Sequence, residues 1–326
     1  MRVVLNGRLA CQGADLLRAR FDDRLEVMEV ADGDRGAAAL ERLGRAEALI
    51  TLGFDESLPP LPALRLIQLP VAGLDQVRLD LVPAGCPVCN VFEHELGISE
   101  YVLAAMLHLT VDLAARSARF KDGSWAESPL QGAPARRELA GQTVLCIGYG
   151  HIGREVALRA RAFGMRIIAI TASGRAGEPA PDHVGGPDDL DRPLGTADFV
   201  LVACPLSDRT RGLIGAAQLA RMKPGAVLIN VARGALVEEQ ALFDALRARR
   251  LGGAVLDTWY RYPSAAEPAA RPASLPFHEL DNVVMTPHCS GWTEGLMPRR
   301  FALIADNLER LQSGRPLLNQ VHPQPG

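Results

Sequence analysis

The 326-residue chain predicts an α/β fold of two doubly wound, parallel-sheet domains. Three observations carry that prediction. Short apolar runs alternate with helical stretches along nearly the whole length. Most of those runs are continuously apolar, as strands buried on both faces require. A chain this long also exceeds one ordinary hydrophobic core.

In the N-terminal part, VVLN, LEVMEV, ALITLG and LRLIQLP are strand candidates, with helices over Ala14–Phe21 and 36–45. A long apolar helix is predicted over 98–119, followed by a polar, Pro- and Gly-containing arm over 121–141. The second half repeats the unit in TVLCIG, MRIIAI, DFVLVAC, AVLINVA, GGAVLD and NVVMTPH. A last helix near 298–312 is expected to return to the first domain, making the second an insertion. The division predicted is 1–95 with 292–326, and 96–291. The Pro-rich tail after Gly314 is expected to be loosely held.

TVLCIG and MRIIAI flank a glycine pattern, Gly148-Tyr149-Gly150-His151-Ile152-Gly153, that opens a helix. In that context Gly148 permits a tight turn, Gly150 lets backbone approach a pyrophosphate, and Gly153 lets helix pack on strand. N–H groups at the helix start then face the phosphate charge. A bound nicotinamide dinucleotide is the expected ligand. NAD-preferring folds of this kind carry an acid about 20 residues on, at the ribose. Thr171 stands there instead, followed by Ser173 and Arg175. Hydroxyls and a guanidinium suit a 2′-phosphate, so NADP is expected ahead of NAD.

With 35 basic and 38 acidic residues the net charge is −3, which gives no basic field for nucleic acid. No apolar run is long enough for a membrane span, and MRVVLNGRL lacks the layout of a secretory signal, which favours the cytoplasm. Cys86 and Cys89 have metal or redox spacing, yet no second pair accompanies them; no metal is expected.

Arg233, Asp257 and His288 each follow a predicted strand of the second domain, at the edge where open α/β sheets hold ligands. Together with PVAGLD, GYGHIG, CPLSDRTRGLI, NVARGALVEEQAL, GGAVLD and NVVMTPH, they make the chain resemble the D-isomer-specific 2-hydroxyacid dehydrogenase family over almost its whole length. The resemblance implies a flavodoxin-like substrate domain split around a Rossmann cofactor domain, a cleft between them, and a homodimer. It implies that Val71, Ala72 and Gly73 offer backbone N–H groups to a substrate carboxylate, that Arg233 pairs with it, and that His288 is the acid–base residue. By family position Cys204, Pro205 and Thr210 line the adenosine side, and His151 and Ile152 lie against the pyrophosphate. Val231, Ala232 and Asp257 belong to the cofactor set, Asp257 accepting from cofactor or backbone, and Trp292 to the substrate pocket.

The chain departs from the family at the histidine's partner. The family pattern resembles DVFExEP, whereas this chain reads Asp257-Thr-Trp-Tyr-Arg-Tyr262-Pro. Tyr262 takes the position of the usual glutamate and joins Arg233 and His288 in the candidate catalytic set; Glu267 is the alternative partner. A tyrosine supplies no negative charge near neutral pH. His288 is therefore expected to ionise at lower pH than with a glutamate, and reduction by imidazolium to fall off sooner as pH rises. The function expected is reduction of a small 2-keto acid such as glyoxylate or hydroxypyruvate. The alternatives are a dinucleotide-binding sensor with an incomplete dyad, and formate oxidation.

Overall fold

In the computed structural model, residues 1–264 and 267–323 are described. Among them the strands are β1 (Arg2–Asn6), β2 (Glu26–Val30), β3 (Ala48–Thr51), β4 (Leu66–Gln68), β5 (Val88–Cys89), β6 (Thr143–Ile147), β7 (Arg166–Ile170), β8 (His183–Gly185), β9 (Phe199–Val202), β10 (Val227–Asn230), β11 (Gly253–Leu256), β12 (Val283–Met285) and β13 (Gln320–His322). They form two sheets, ordered β13-β5-β4-β3-β1-β2 and β12-β11-β10-β9-β6-β7-β8. The chain divides into two compact units, Met1–Glu93 with Thr293–Gly326, and His94–Trp292.

The first sheet is parallel through β1–β5, and β13 joins β5 antiparallel. Its order is the flavodoxin-like one, with the winding reversing between β1 and β3. The helices Ala14–Phe21 and Leu296–Ser313 supply Leu17, Phe21, Phe301, Ile304 and Leu308 to one face; Leu43, Phe54 and Leu69 lie in the core of the other.

The second sheet is parallel throughout. Its central strands β9 (FVLV), β10 (VLIN) and β11 (GAVL) are buried at every position. Only a sheet covered on both faces permits such sequences, and separate clusters built around Leu145, Val200 and Leu228, and around Val144, Leu201 and Ile229, provide that cover. Winding reverses between β6 and β9, the Rossmann switch point beyond whose strand ends ligands bind.

Two expectations about the chain's course need correction. The predicted helix 98–119 is two helices, Glu95–Val111 and Leu113–Lys121, bent by 44°. Asp112 makes the break in left-handed backbone (φ 50°, ψ 53°), a conformation Asp tolerates better than most residues. The tail after Gly314 is not loose up to His322. Asn307 Oδ1 accepts the Leu318 N–H at 2.8 Å, its Nδ2 donates to the Leu318 carbonyl at 3.0 Å, and β13 then adds to the sheet. Residues 324–326 lie outside the described residues. In the arm, Glu127 pairs with both Arg116 and Arg119.

No single helix among the described residues is long and apolar enough to cross a membrane. All six cysteines are free thiols; burial pushes Cys86 up to about 11 and Cys89 up to about 12. Among the described residues no cluster of three or more His, Cys, Asp or Glu side chains could hold a metal ion.

Candidate active site

Gly148, directly after β6, has φ 98°, and a Cβ there would lie 2.6 Å from the Cys204 backbone nitrogen. Glycine is required twice over: by the left-handed turn and by close approach of the chain leaving β9. A Cβ on Gly153 would lie 2.4 Å from the Gly148 carbonyl oxygen, so helix His151–Ala162 can start against the turn only with glycine there. Gly150 differs. A Cβ there would meet no protein atom within 4 Å, and its φ of −81° is not one that demands glycine. The first intrahelical bond runs from Arg154 N–H to the Gly150 carbonyl at 3.1 Å, so His151, Ile152 and Gly153 form the helix start ahead of its own hydrogen-bond ladder. An open cradle with N–H groups at a helix start fits a dinucleotide pyrophosphate.

Around this cradle, His151 Nδ1 stands 3.8 Å from a Glu95 carboxylate oxygen. The buried Tyr149 donates its hydroxyl to the Pro179 carbonyl at 2.6 Å. Past β7, the Thr171 hydroxyl donates to the Arg175 carbonyl at 2.9 Å, and Arg175 N–H reaches the Ser173 hydroxyl at 3.4 Å. A closed turn therefore holds both hydroxyls and the exposed Arg175 beside the strand end. After β9, Thr210 donates to the Pro205 carbonyl at 2.7 Å and closes the segment that begins at Cys204.

The loops after β10, β11 and β12 bring the other candidates together. Asn230 accepts the Ala232 N–H at 3.1 Å and donates to the Arg233 carbonyl at 2.9 Å, which fixes the backbone that presents Arg233. Val231 and Ala232 are buried beneath it. A Cβ on Gly234 would lie 2.4 Å from the Trp259 carbonyl, so glycine lets this loop press on the next.

Asp257 is fully buried at the end of β11. Its carboxylate accepts the Thr286 hydroxyl at 2.6 Å and the N–H groups of Cys289 and Ser290, each at 2.9 Å. Of the two expected donors, cofactor or backbone, the bonds present are to the backbone and hydroxyl of the loop that carries His288. Tyr101, from helix Glu95–Val111, meets the Thr286 hydroxyl at 2.7 Å, and Trp259 Nε1–H donates to the Thr286 carbonyl at 2.7 Å. Burial raises the Tyr101 phenol to about 12.

This clamp holds His288 with φ 55°, a left-handed backbone that costs a non-glycine residue free energy. Tyr262 Oη lies 2.9 Å from His288 Nδ1 and accepts the Trp259 backbone N–H at 3.2 Å. Glu267, the alternative partner, is turned to Arg261 at 3.0 Å. Desolvation by the surrounding protein lowers the His288 pKa below its ordinary value; Arg233's positive charge adds to that, while Asp257's negative charge opposes it.

Thus Arg233, Asp257, Tyr262 and His288 gather on loops of one sheet, and the glycine turn lies on its switch point. Val71, Ala72 and Gly73 lie in the first unit, just past β4, where Asn90 Nδ2 donates to the Ala72 carbonyl at 2.8 Å. Trp292 ends the second unit and is 55% exposed. Tyr101, Trp259 and Thr286 escaped the sequence reading as site residues; Thr286 sat within the NVVMTPH motif, where only the histidine drew notice.

A Rossmann sheet with an open glycine cradle and a clamped histidine past its last strand defines a class, the nicotinamide-dinucleotide dehydrogenases. Residues 103–290 match the model of the D-isomer specific 2-hydroxyacid dehydrogenase NAD-binding domain. The chain belongs to the D-isomer specific 2-hydroxyacid dehydrogenase family. It is 32% identical over 293 residues to (S)-sulfolactate dehydrogenase of Chromohalobacter salexigens, covering 89% of this chain and 88% of that protein. D-3-phosphoglycerate dehydrogenase of Methanocaldococcus jannaschii is 29% identical over 301 residues, 90% of this chain and 55% of that protein. The chain thus spans just over half the length of that relative. The solved structure of NADPH-dependent glyoxylate/hydroxypyruvate reductase from Sinorhizobium meliloti, in complex with NADP and sulfate, is similar with a TM-score of 0.77 and 26% identity, covering 98% of each chain.

Proposed function

We propose that the chain reduces a small 2-keto acid, of the size of glyoxylate or hydroxypyruvate, with a nicotinamide dinucleotide, NADP in preference to NAD. The observation that carries this reading is the pair Arg233 and His288 on the carboxyl side of one parallel sheet, close enough for the guanidinium charge to act on the imidazole. When bound, the reduced dinucleotide supplies the hydride. Arg233 pairs with the substrate carboxylate and stabilises the negative charge that develops on the neighbouring oxygen. His288 gives that oxygen a proton. The hydroxyls of Thr171 and Ser173, with Arg175, support NADP, because an acid at Thr171 would repel a 2′-phosphate. The Sinorhizobium relative, named as NADPH-dependent, supports the same preference.

Tyr262 in place of a carboxylate favours a second reading, a dinucleotide-binding protein with little turnover. Loss of NADPH or NADH absorbance with a panel of 2-keto acids separates the two. Turnover with at least one small keto acid supports the reductase; tight dinucleotide binding without turnover supports the other.

We also infer a homodimer. Leu113 (73% exposed), Trp125 (56%) and Leu130 (84%), on helix Leu113–Lys121 and the arm, are apolar side chains that a second copy would cover. Light scattering after gel filtration tests this: twice the chain mass is expected for the wild type, and a single chain mass contradicts the dimer. Trp125→Ser with Leu130→Ser is expected to halve the mass, and an unchanged dimer mass moves the interface off this surface.

A further inference from the structure

The direction of the bond between Tyr262 and His288 is tied to which imidazole nitrogen carries the proton. Oη already accepts a backbone N–H, from Trp259 at 3.2 Å, and backbone N–H can only donate. Nδ1 lies 2.9 Å away, and of the two groups the phenol is the better donor and the imidazole nitrogen the better acceptor, which favours O–H as the donor. A carboxylate at this position would do the opposite: it would accept from Nδ1–H and leave Nε2 bare.

We propose that Tyr262 donates its phenol proton to Nδ1 of His288, so that the neutral ring keeps its proton on Nε2 and the pair works as a two-proton relay. The proposal rests on the reductase reading and deepens it. As the carbonyl carbon gains a hydride, the substrate oxygen takes the Nε2 proton, and the N–H bond there breaks. Nδ1 takes the phenol proton, leaving the negative charge on Tyr262 Oη, where the Trp259 N–H stabilises it. Water then protonates Nε2, the Nδ1 proton returns to Oη, and the site is reset with one proton drawn from solvent. Tyr262 is here a positioning residue, because it acts only through the ring.

The relay changes the pH dependence expected from the sequence. A ring that must be imidazolium stops donating above its own pKa. A neutral ring with Nε2–H and a phenol behind it goes on donating above that pKa for as long as the phenol holds its proton. Oxidation of a hydroxy acid needs the proton-depleted relay and so rises over that same alkaline limb. The charges acting on the ring are Arg233 from the loop after β10 and Asp257 from the end of β11. Cys289 adjoins the ring in sequence, and Tyr101 stands behind Thr286. Burial holds the Tyr101 phenol near 12, so it stays protonated through the relevant range.

Two measurements on the full-length protein test the relay. In 15N NMR of histidine-labelled protein, the neutral His288 ring is expected to be protonated at Nε2, with the Nδ1 shift moved in Tyr262→Phe by loss of the phenol's hydrogen bond. In reduction of glyoxylate, Tyr262→Phe is expected to pull the alkaline limb of kcat/KM down below about 6.5, the ordinary histidine value, a loss of at least about 100-fold at pH 8.5. Tyr262→Glu, by raising the ring's pKa, is expected to bring the limb part of the way back. A wild-type ring protonated at Nδ1 overturns the proposal, as does an alkaline limb that Tyr262→Phe leaves in place. If no keto acid is turned over, the reductase reading fails by itself, and the NMR still decides the tautomer.

Discussion

Asp257→Asn is the sharpest perturbation of the clamp that holds His288. The change keeps volume and removes one acceptor. In the less costly orientation the amide nitrogen replaces the oxygen that accepts Ser290 N–H, leaving two donors facing each other in a buried site. An orphaned buried N–H costs roughly 1–3 kcal/mol. The bonds from Thr286 and Cys289 weaken as well, because a neutral amide accepts less strongly than a carboxylate. Removing a buried charge offsets part of this. The net loss of local stability is about 2 kcal/mol, or about 30-fold faster amide exchange. Hydrogen–deuterium exchange of peptides spanning 286–292 measures it without assuming that the two units unfold together. His288 is also expected to ionise at still lower pH, because Asp257 is the group that raises its pKa. Unchanged exchange in that segment, with exchange altered elsewhere, would refute the clamp.

Other consequences follow from the same geometry. Gly150→Ala is expected to leave thermal stability within about 1 kcal/mol of wild type yet weaken NADPH binding at least about tenfold by fluorescence titration, because only the ligand's space is filled. Gly148→Ala is expected to lower the melting temperature, since its Cβ meets the Cys204 backbone at 2.6 Å and its φ is positive. Thr171→Asp is expected to shift the ratio of NADPH to NADH affinity towards NADH by about tenfold or more, one acid repelling one phosphate; an unchanged ratio would remove Thr171 from cofactor choice. Because the fold lowers the His288 pKa, the unfolded chain binds that proton first as pH falls. The stability contribution is present above about 6.5 and is lost as pH drops from there through the folded-state value. His288→Gln is expected to reduce the difference in melting temperature between pH 5 and pH 7.5, roughly the two sides of that window.

The sheets were legible because parallel strands buried on both faces leave near-continuous apolar runs, as in FVLV and VLIN. The glycine turn was legible because each glycine answers a distinct steric demand. The break at Asp112 was not, since nothing in LTVDLAAR interrupts a helical pattern and only the φ of one residue marks it. β13 escaped because its residues, Gln320–His322, are half-buried and mostly polar, and it exists only through pairing with β5. The clamp was invisible for a related reason. Tyr101, Thr286 and the pair Asp257 and Trp259 come from three separate segments, and Tyr101 and Thr286 lie 185 positions apart. Local pattern carries no record of such a contact. The Tyr262–His288 bond could be named from position alone, but the Trp259 N–H on the same oxygen could be found only in space.

A double-mutant cycle on Arg233→Gln and His288→Gln, read as kcat/KM for the best 2-keto acid substrate, tests the central claim most directly. If both side chains act on one reacting carbonyl, each single change costs about 10²- to 10⁴-fold, and the double change costs little more than the worse single one. Single variants within about threefold of wild type, or losses that multiply in full, would contradict a shared site of reduction.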